Sequence, residues 1–398
     1  MSYLIKFWMA IQTNQLDIPL QLFGSVAVTL VSYFIISKAA KPKDKASKYF
    51  TALYAFSVSE TVIIIRKILQ FFIDFFAGTN LMQAHTLPDD HWFFRVFGFG
   101  MSPLDQRPVF DMGEDFLLGT LGTLLTAIGL FVYAGIRNRS TDKKPKLSFT
   151  ERCSRKYSAE MQKLRQQTNI CDIMLWWIVR ALMLHAFITM ENRAEATLLL
   201  VNFLGTVAIT VIHIIAPSDS FLGRINYRIQ TLLTIMVFIG SYCGNYVFLY
   251  NIISRYDLFL HFVSGAIAVT AGYYIARVFV SAGNKKENIL IVLFAFSFSL
   301  MIIPVHEMIE FIGDFIWGTS NQGFYWGPAD DSFFFKLFGH GAGNTQLYYL
   351  FDTMYDALLA SSSTLVMALT LYGFVKHDRK NSTIKGNKTD SEKQTVTC

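Results

Sequence analysis

An all-α polytopic membrane fold, with nine helical spans and a three-helix unit that occurs twice, is predicted by three observations. Of the 398 residues, 53% are hydrophobic and only 16% are charged, a composition far from that of a soluble domain. The apolar residues gather into nine stretches near the ~20 residues that a helix needs to cross a bilayer: 18–37, 50–76, 110–135, 170–190, 196–216, 227–250, 258–279, 288–317 and 351–375. The third observation is that the sequence repeats itself.

The repeat is read from short blocks in the same order. YAFSVS at 54–59 returns as FAFSFS at 294–299, and DFFAGT at 74–79 as DFIWGT at 314–319, an offset of 240. With one extra residue, FDMGEDFLLGTLGT at 110–123 matches FDTMYDALLASSST at 351–364, and Ala27-Val28-Thr29 matches Ala268-Val269-Thr270. Two parallel copies of a three-span unit, about 17–137 and 257–377, follow from this order.

The elements divide into four segments. Residues 1–137 hold the first unit, preceded by a stretch over 1–16 that reads as a short interfacial helix, because it lacks the basic start and small-residue cleavage site of a signal peptide. Residues 138–169 form a basic linker suited to the cytoplasmic membrane surface, where anionic lipid attracts Lys and Arg. Residues 170–377 form a six-span unit that contains the second copy. Residues 378–398 are polar and apolar-poor, and a disordered cytoplasmic tail is expected there.

The net charge of +6 would suggest a nucleic-acid partner in a soluble protein. Here the basic residues collect in alternate connections: 24 Lys and Arg in 38–49, 136–169, 217–226, 280–287 and 376–398, against 6 in the opposite set. That asymmetry is the positive-inside pattern and predicts an outer amino terminus and a cytoplasmic carboxyl terminus. No nucleic-acid partner is implied; the bilayer is the partner. Cys153, Cys171, Cys243 and Cys398 show no metal spacing and no disulfide framework.

The chemistry concentrates in PVHEMIEFIGDFIWG at 304–318. His306, Glu310 and Asp314 are four apart with Glu307 beside them, so they share one broad helical face. Ionisable groups at membrane depth cost roughly 2.5–3.5 kcal/mol each on insertion scales. A single acid near a helix end is commonly an anchor reaching for water, but this set has company on the neighbouring spans. Asp257, His261, Asp352 and Asp356 fall at the same predicted side. Where the second copy has His306, Glu307 and Glu310, the first has Arg66, Lys67 and Gln70, while Asp74, Asp111 and Asp115 match Asp314, Asp352 and Asp356. The first copy can therefore neutralise itself as a salt-bridge network of Arg66, Lys67, Asp74, Asp111 and Asp115. The second has excess negative charge, which must bind protons or a cation.

These residues lead to an expected divalent metal site formed by His261, His306, Glu310, Asp352 and Asp356, with Glu307 as general base for a metal-bound water. Asp257 and Asp314 border it. HEMIE resembles the zinc-protease HExxH only superficially, since Glu310 stands in the place of the second His, and that assignment is rejected. Pro304 removes a helix hydrogen bond beside the cluster. Arg180, near the middle of its span, is expected to pair with one of the acids or with a lipid phosphate.

The order YDLFLHFVSG at 256–265, then Glu307-x-x-Glu310, then Asp352-x-x-x-Asp356 resembles the YjdF-like bacterial inner-membrane proteins and, more loosely, the VanZ-like family. The resemblance covers about 170–377. It implies a bacterial inner membrane and, through VanZ, an envelope role in glycopeptide resistance; the Lys that VanZ-like proteins carry after the first Asp is Leu258 here. The leading expectation is a metal-dependent enzyme acting on a lipid or lipid-linked envelope substrate. A cation- or proton-coupled transporter using the same acids, and a non-catalytic membrane scaffold, are the alternatives.

Overall fold

A computed structural model describes residues 17–77, 107–137, 149–253, 256–280, 285–317 and 351–395. The expected interfacial helix over 1–16 and the connections 78–106 and 318–350 lie outside the described residues. Among the described residues every regular element is helical: α1 (Asp17–Ala40), α2 (Lys45–Ala77), α3 (Arg107–Arg137), α4 (Phe149–Gln167), α5 (Ile170–Thr189), α6 (Arg193–Ile215), α7 (Arg228–Val237), α8 (Tyr256–Phe279), α9 (Lys285–Trp317) and α10 (Phe351–Thr395). The last runs on as helix to Thr395, through residues that the sequence reading expects to be disordered.

Seven of these helices are long and apolar enough to cross a membrane, among the described residues: Gln21–Ala40, Asp115–Ile136, Ile170–Thr189, Ala196–Ile215, Tyr256–Phe279, Lys285–Ile309 and Thr353–His377. The two further expected spans correspond to α2 and α7. At 33 residues α2 is long enough, but it carries Glu60, Arg66 and Lys67. The helix of α7 changes at Phe238 into a π-helical stretch, Phe238–Tyr246. Large apolar side chains face outward along the helices, including Phe23, Phe34, Leu125, Trp177, Ile188, Ile215, Leu369 and Phe374. Water would penalise that surface, whereas hydrocarbon does not.

Helices α1, α2 and α3 pack on one another, as do α8, α9 and α10, and α2 lies against α9. A third group, α5, α6 and α7, adjoins α8 through α7. Small residues set the close approaches. A Cβ on Gly265 would stand 2.6 Å from the Ala360 carbonyl oxygen, and one on Gly272 would stand 2.8 Å from the Ala295 Cα, so α8 reaches α10 and α9 only because both are glycine. Between α2 and α9, Phe50 and Tyr54 meet Phe294 at ring separations of 4.7 and 5.1 Å. A second apolar core joins Ile64, Phe71 and Phe116 to Leu300, Ile303 and Met354.

Described residues of the basic connections meet at one end of this assembly. Arg224 bridges to Asp44 at 2.7 Å, and Arg228 donates to the Tyr274 hydroxyl at 2.9 Å. Just past the end of α4, helix α5 starts in a capping box, in which Asn169 and Asp172 exchange backbone and side-chain hydrogen bonds at 2.9 Å. From this end α8 climbs 24 residues, about 36 Å at 1.5 Å per residue. Its first turns, with Asp257 and His261, therefore stand at the opposite end.

Candidate metal centre

Three helices bring the site together at that opposite end. Asp257 and His261 sit one turn apart on α8, so their side chains share a face. The His261 Nε2 lies 3.3 Å from Asp356 Oδ2 of α10 and 3.6 Å from Asp257 Oδ1. One ligand atom from each of the three residues falls within 4.8 Å of the others. His261 and Asp356 are buried, while Asp257 is partly open. On α9, the His306 ring centroid is 5.7 Å from that of His261, and His306 itself is exposed. Glu307 is buried, on the same helical face as Leu300 and Ile303 of the apolar core. Pro304 lies inside α9, and its missing N–H leaves the Leu300 carbonyl without a helical donor just below the site.

The arrangement has the donor set of a cation site. One imidazole nitrogen faces oxygens of two carboxylates, and it can carry only one proton. A cation between the three atoms satisfies both contacts at once. The spacing suits this: ligands about 2.0–2.2 Å from a tetrahedral ion lie about 3.3–3.6 Å from each other, and cis oxygens of a calcium site at about 2.4 Å lie about 3.4 Å apart.

Of the expected ligands, then, the structure brings together His261, Asp356 and the bordering Asp257, with His306 one ring away. Glu310 and Asp314 lie in the last turns of α9 and Asp352 in the first turn of α10, but their side chains lie outside the described residues, as do those of Asp74 and Asp111. Asp115 is the residue that the sequence match sets against Asp356. It accepts from Gln21 of α1, pairs with Lys67 and lies 3.4 Å from Arg66. Here cations supplied by the chain itself stand beside the carboxylate.

Arg180 does not join the triad. It donates to the Thr206 carbonyl of α6 at 2.7 Å, and its guanidinium lies over Trp176 and Trp177 at 5.9 and 5.5 Å. A carbonyl dipole and two aromatic faces take the place of the expected acidic partner.

Sequence reasoning missed two polar clusters. Glu60, fully buried in α2, accepts from Thr120 at 3.0 Å and from Thr123. The signal was there, a lone acid in FSVSETVIII, but only the fold supplies its two hydroxyls. At the basic end, Glu160 of α4 meets His213 at 3.1 Å and accepts from the Tyr227 hydroxyl at 3.2 Å. Lys163 donates to the Gly223 carbonyl at 2.6 Å, and Lys156 to that of Ala216 at 2.8 Å. Burial holds the Lys163 ammonium at about 8, below the usual lysine value, against the pull of Glu160. This cluster docks the linker helix onto the end of α6.

The model of the DUF2238 family, described as predicted membrane proteins, matches residues 173–377. The chain belongs to this family. The DUF2238 region runs from α5 into α10 and contains Asp257, His261, His306, Glu307 and Asp356, whereas the first unit precedes it. No curated protein and no solved structure matches the chain.

Proposed function

We propose that this DUF2238 protein is a nine-span membrane enzyme, built on a duplicated three-helix unit, which uses a divalent metal site at the outer membrane face to act on a lipid or lipid-linked envelope substrate. The observation that carries the reading is the single His261 nitrogen set between carboxylates of two helices at metal-ligand spacing. Asp257, His261 and Asp356 would form the core of the ligand set; His306, Glu310 and Asp352 would complete it as the ion requires. Carboxylate ligands favour a hard ion such as Mg²⁺, Ca²⁺ or Mn²⁺, and His261 with His306 suits Zn²⁺. A bound ion would supply Lewis acidity and an activated water, and Glu307 is assigned the role of general base. The contrast between the two units supports this assignment: Lys67 and Arg66 neutralise Asp115, while the second unit has Glu307 and His306 in their places. The charge asymmetry of the connections supports an outer amino terminus, and the resemblance to YjdF-like and VanZ-like proteins supports a bacterial inner membrane.

Elemental analysis of the purified protein tests the reading. One equivalent of divalent metal is expected in the wild type and well under a tenth of that in Asp356→Asn and His261→Ala. A metal-free wild type that also takes up none of Mg²⁺, Ca²⁺, Mn²⁺ or Zn²⁺ would rule the reading out.

A further inference from the structure

Between the π-helical stretch and α8 runs the segment 247–253, VFLYNII. Val247, Phe248, Tyr250, Ile252 and Ile253 are exposed there, Ile252 by 68%. In a connection facing water such a run would be costly. The surrounding sequence is uncharged: from 229 to 254 there is no Asp, Glu, Lys or Arg. By Tyr246 the helix begun at Arg228 has risen roughly 25 Å, because its nine π-helical residues rise less than the 1.5 Å of the ten α-helical ones, approaching the ~30 Å of a hydrocarbon core. The segment therefore starts at the far boundary of the bilayer.

Its backbone is arranged for an apolar medium. Val247 N–H donates to Tyr242 at 2.9 Å, Asn251 and Ile252 to Phe248 at 2.9 and 3.1 Å, and Ile253 to Leu249 at 2.9 Å; Tyr256 closes the run on Ile253 at 3.1 Å. Backbone groups that meet lipid need such internal partners. Phe248 adopts a left-handed conformation, φ 61°, which glycine would occupy more cheaply; the aromatic side chain is retained there and points out. Tyr250 is pinned from behind. Its ring occupies the space that a Cβ on Gly244 would need, at 2.4 Å, and meets the Tyr256 ring edge-on at 5.4 Å. Tyr256 in turn donates to the Ile239 carbonyl at 2.8 Å. Beyond it, Phe259 and Phe262 of α8 continue the exposed apolar surface past Asp257 and His261.

We infer that 247–253 is a lip inserted among the acyl chains of the leaflet at the triad's end, so that the Asp257–His261–Asp356 site stands at headgroup depth and takes a lipid-borne ligand laterally from that leaflet. The ligand part rests on the proposed metal site; the insertion does not. A partner protein would be the other cover for such a surface, and the test separates the two.

The experiment uses full-length protein with all four cysteines replaced by serine, reconstituted in phosphatidylglycerol-containing vesicles, with a nitroxide at Ile252→Cys, Phe259→Cys or, as an aqueous control, Gln162→Cys. In metal-free protein, dissolved oxygen should relax the labels at 252 and 259 several-fold more than a water-soluble nickel chelate does, and the order should reverse at 162. Access of the chelate at 252 equal to that at 162 overturns the insertion, as does exclusion of both reagents, which marks a protein-covered surface. Mn²⁺ is then added: broadening of the 252 label in the wild-type site, absent in Asp356→Asn, supports headgroup-depth placement of the site. Mn²⁺ shown to be bound, by loss of its free six-line signal, but without broadening at 252 would overturn the site placement and leave the lip standing, whereas Mn²⁺ that stays free counts against the metal site and with it the ligand part.

Discussion

Replacing Lys67 by Met is the sharpest perturbation of the first unit. Lys67 is 2% exposed and paired with Asp115, itself 6% exposed. Met keeps most of the volume and removes the charge, so the carboxylate loses its most deeply buried partner. Breaking a buried pair from one side typically costs about 3–5 kcal/mol. Arg66 at 3.4 Å and the Gln21 amide remain, and Arg66 is partly open to solvent, so the expected cost is at the lower end, about 3 kcal/mol. Pairing Lys67→Met with Asp115→Asn should recover most of that loss, because no uncompensated carboxylate remains; a coupling of about 2 kcal/mol between the two sites is expected. Reversible unfolding in mixed micelles, followed by far-UV circular dichroism, gives all three values. A cost below 1 kcal/mol for the single change, or strict additivity in the double, would refute the self-neutralised reading of this unit.

Three further outcomes follow from the same geometry. Gly265→Leu should cost more than about 2 kcal/mol through overpacking and, by pushing α8 off α10, abolish metal binding; a folded variant with wild-type metal content contradicts the packing account. Glu60→Ala should destabilise by about 1–3 kcal/mol, since it strips the Thr120 hydroxyl of its buried acceptor, and Glu60→Gln should restore much of the loss; equal stability of all three forms would show that the cluster contributes nothing. Lys163 has a folded value of about 8 against 10.5 unfolded, so between those limits the unfolded chain binds more protons and stability rises with pH. The wild type should show a more positive slope there than Lys163→Met, and identical slopes would count against a buried ammonium.

Seven of the nine expected spans and the approach of His261 to Asp356 follow from apolar length and four-residue spacing, which are local properties of the chain; Asp257, expected only to border the site, is the third member of the cluster. Asp257 and His261 had to share a face once 256–279 was helical, and the repeat, at an offset of 241 in this block, aligned Asp115 with Asp356. What stayed hidden depends on long-range or irregular structure. A π-helical stretch at Phe238 has no period that hydropathy can detect. Helix α4 docks through Lys156, Glu160 and Lys163, a polar face against carbonyls and His213, so no apolar stripe announced it. Charge alone suggests an acid or a lipid phosphate beside Arg180; the contacts it makes among the described residues are the Thr206 carbonyl and two tryptophan rings. Glu60 sat in plain view, but its Thr120 and Thr123 hydroxyls are 60 and 63 residues away.

A calorimetric titration of metal-stripped protein with Mn²⁺ tests the metal centre most directly, run in parallel on the wild type, Asp356→Asn and Asp115→Asn, all confirmed helical by circular dichroism. One saturable site is expected in the wild type and in Asp115→Asn, with at least a hundredfold weaker binding in Asp356→Asn. Equal binding in the two variants, or none in the wild type with Mn²⁺ and again with Zn²⁺, would contradict a metal centre built on Asp257, His261 and Asp356.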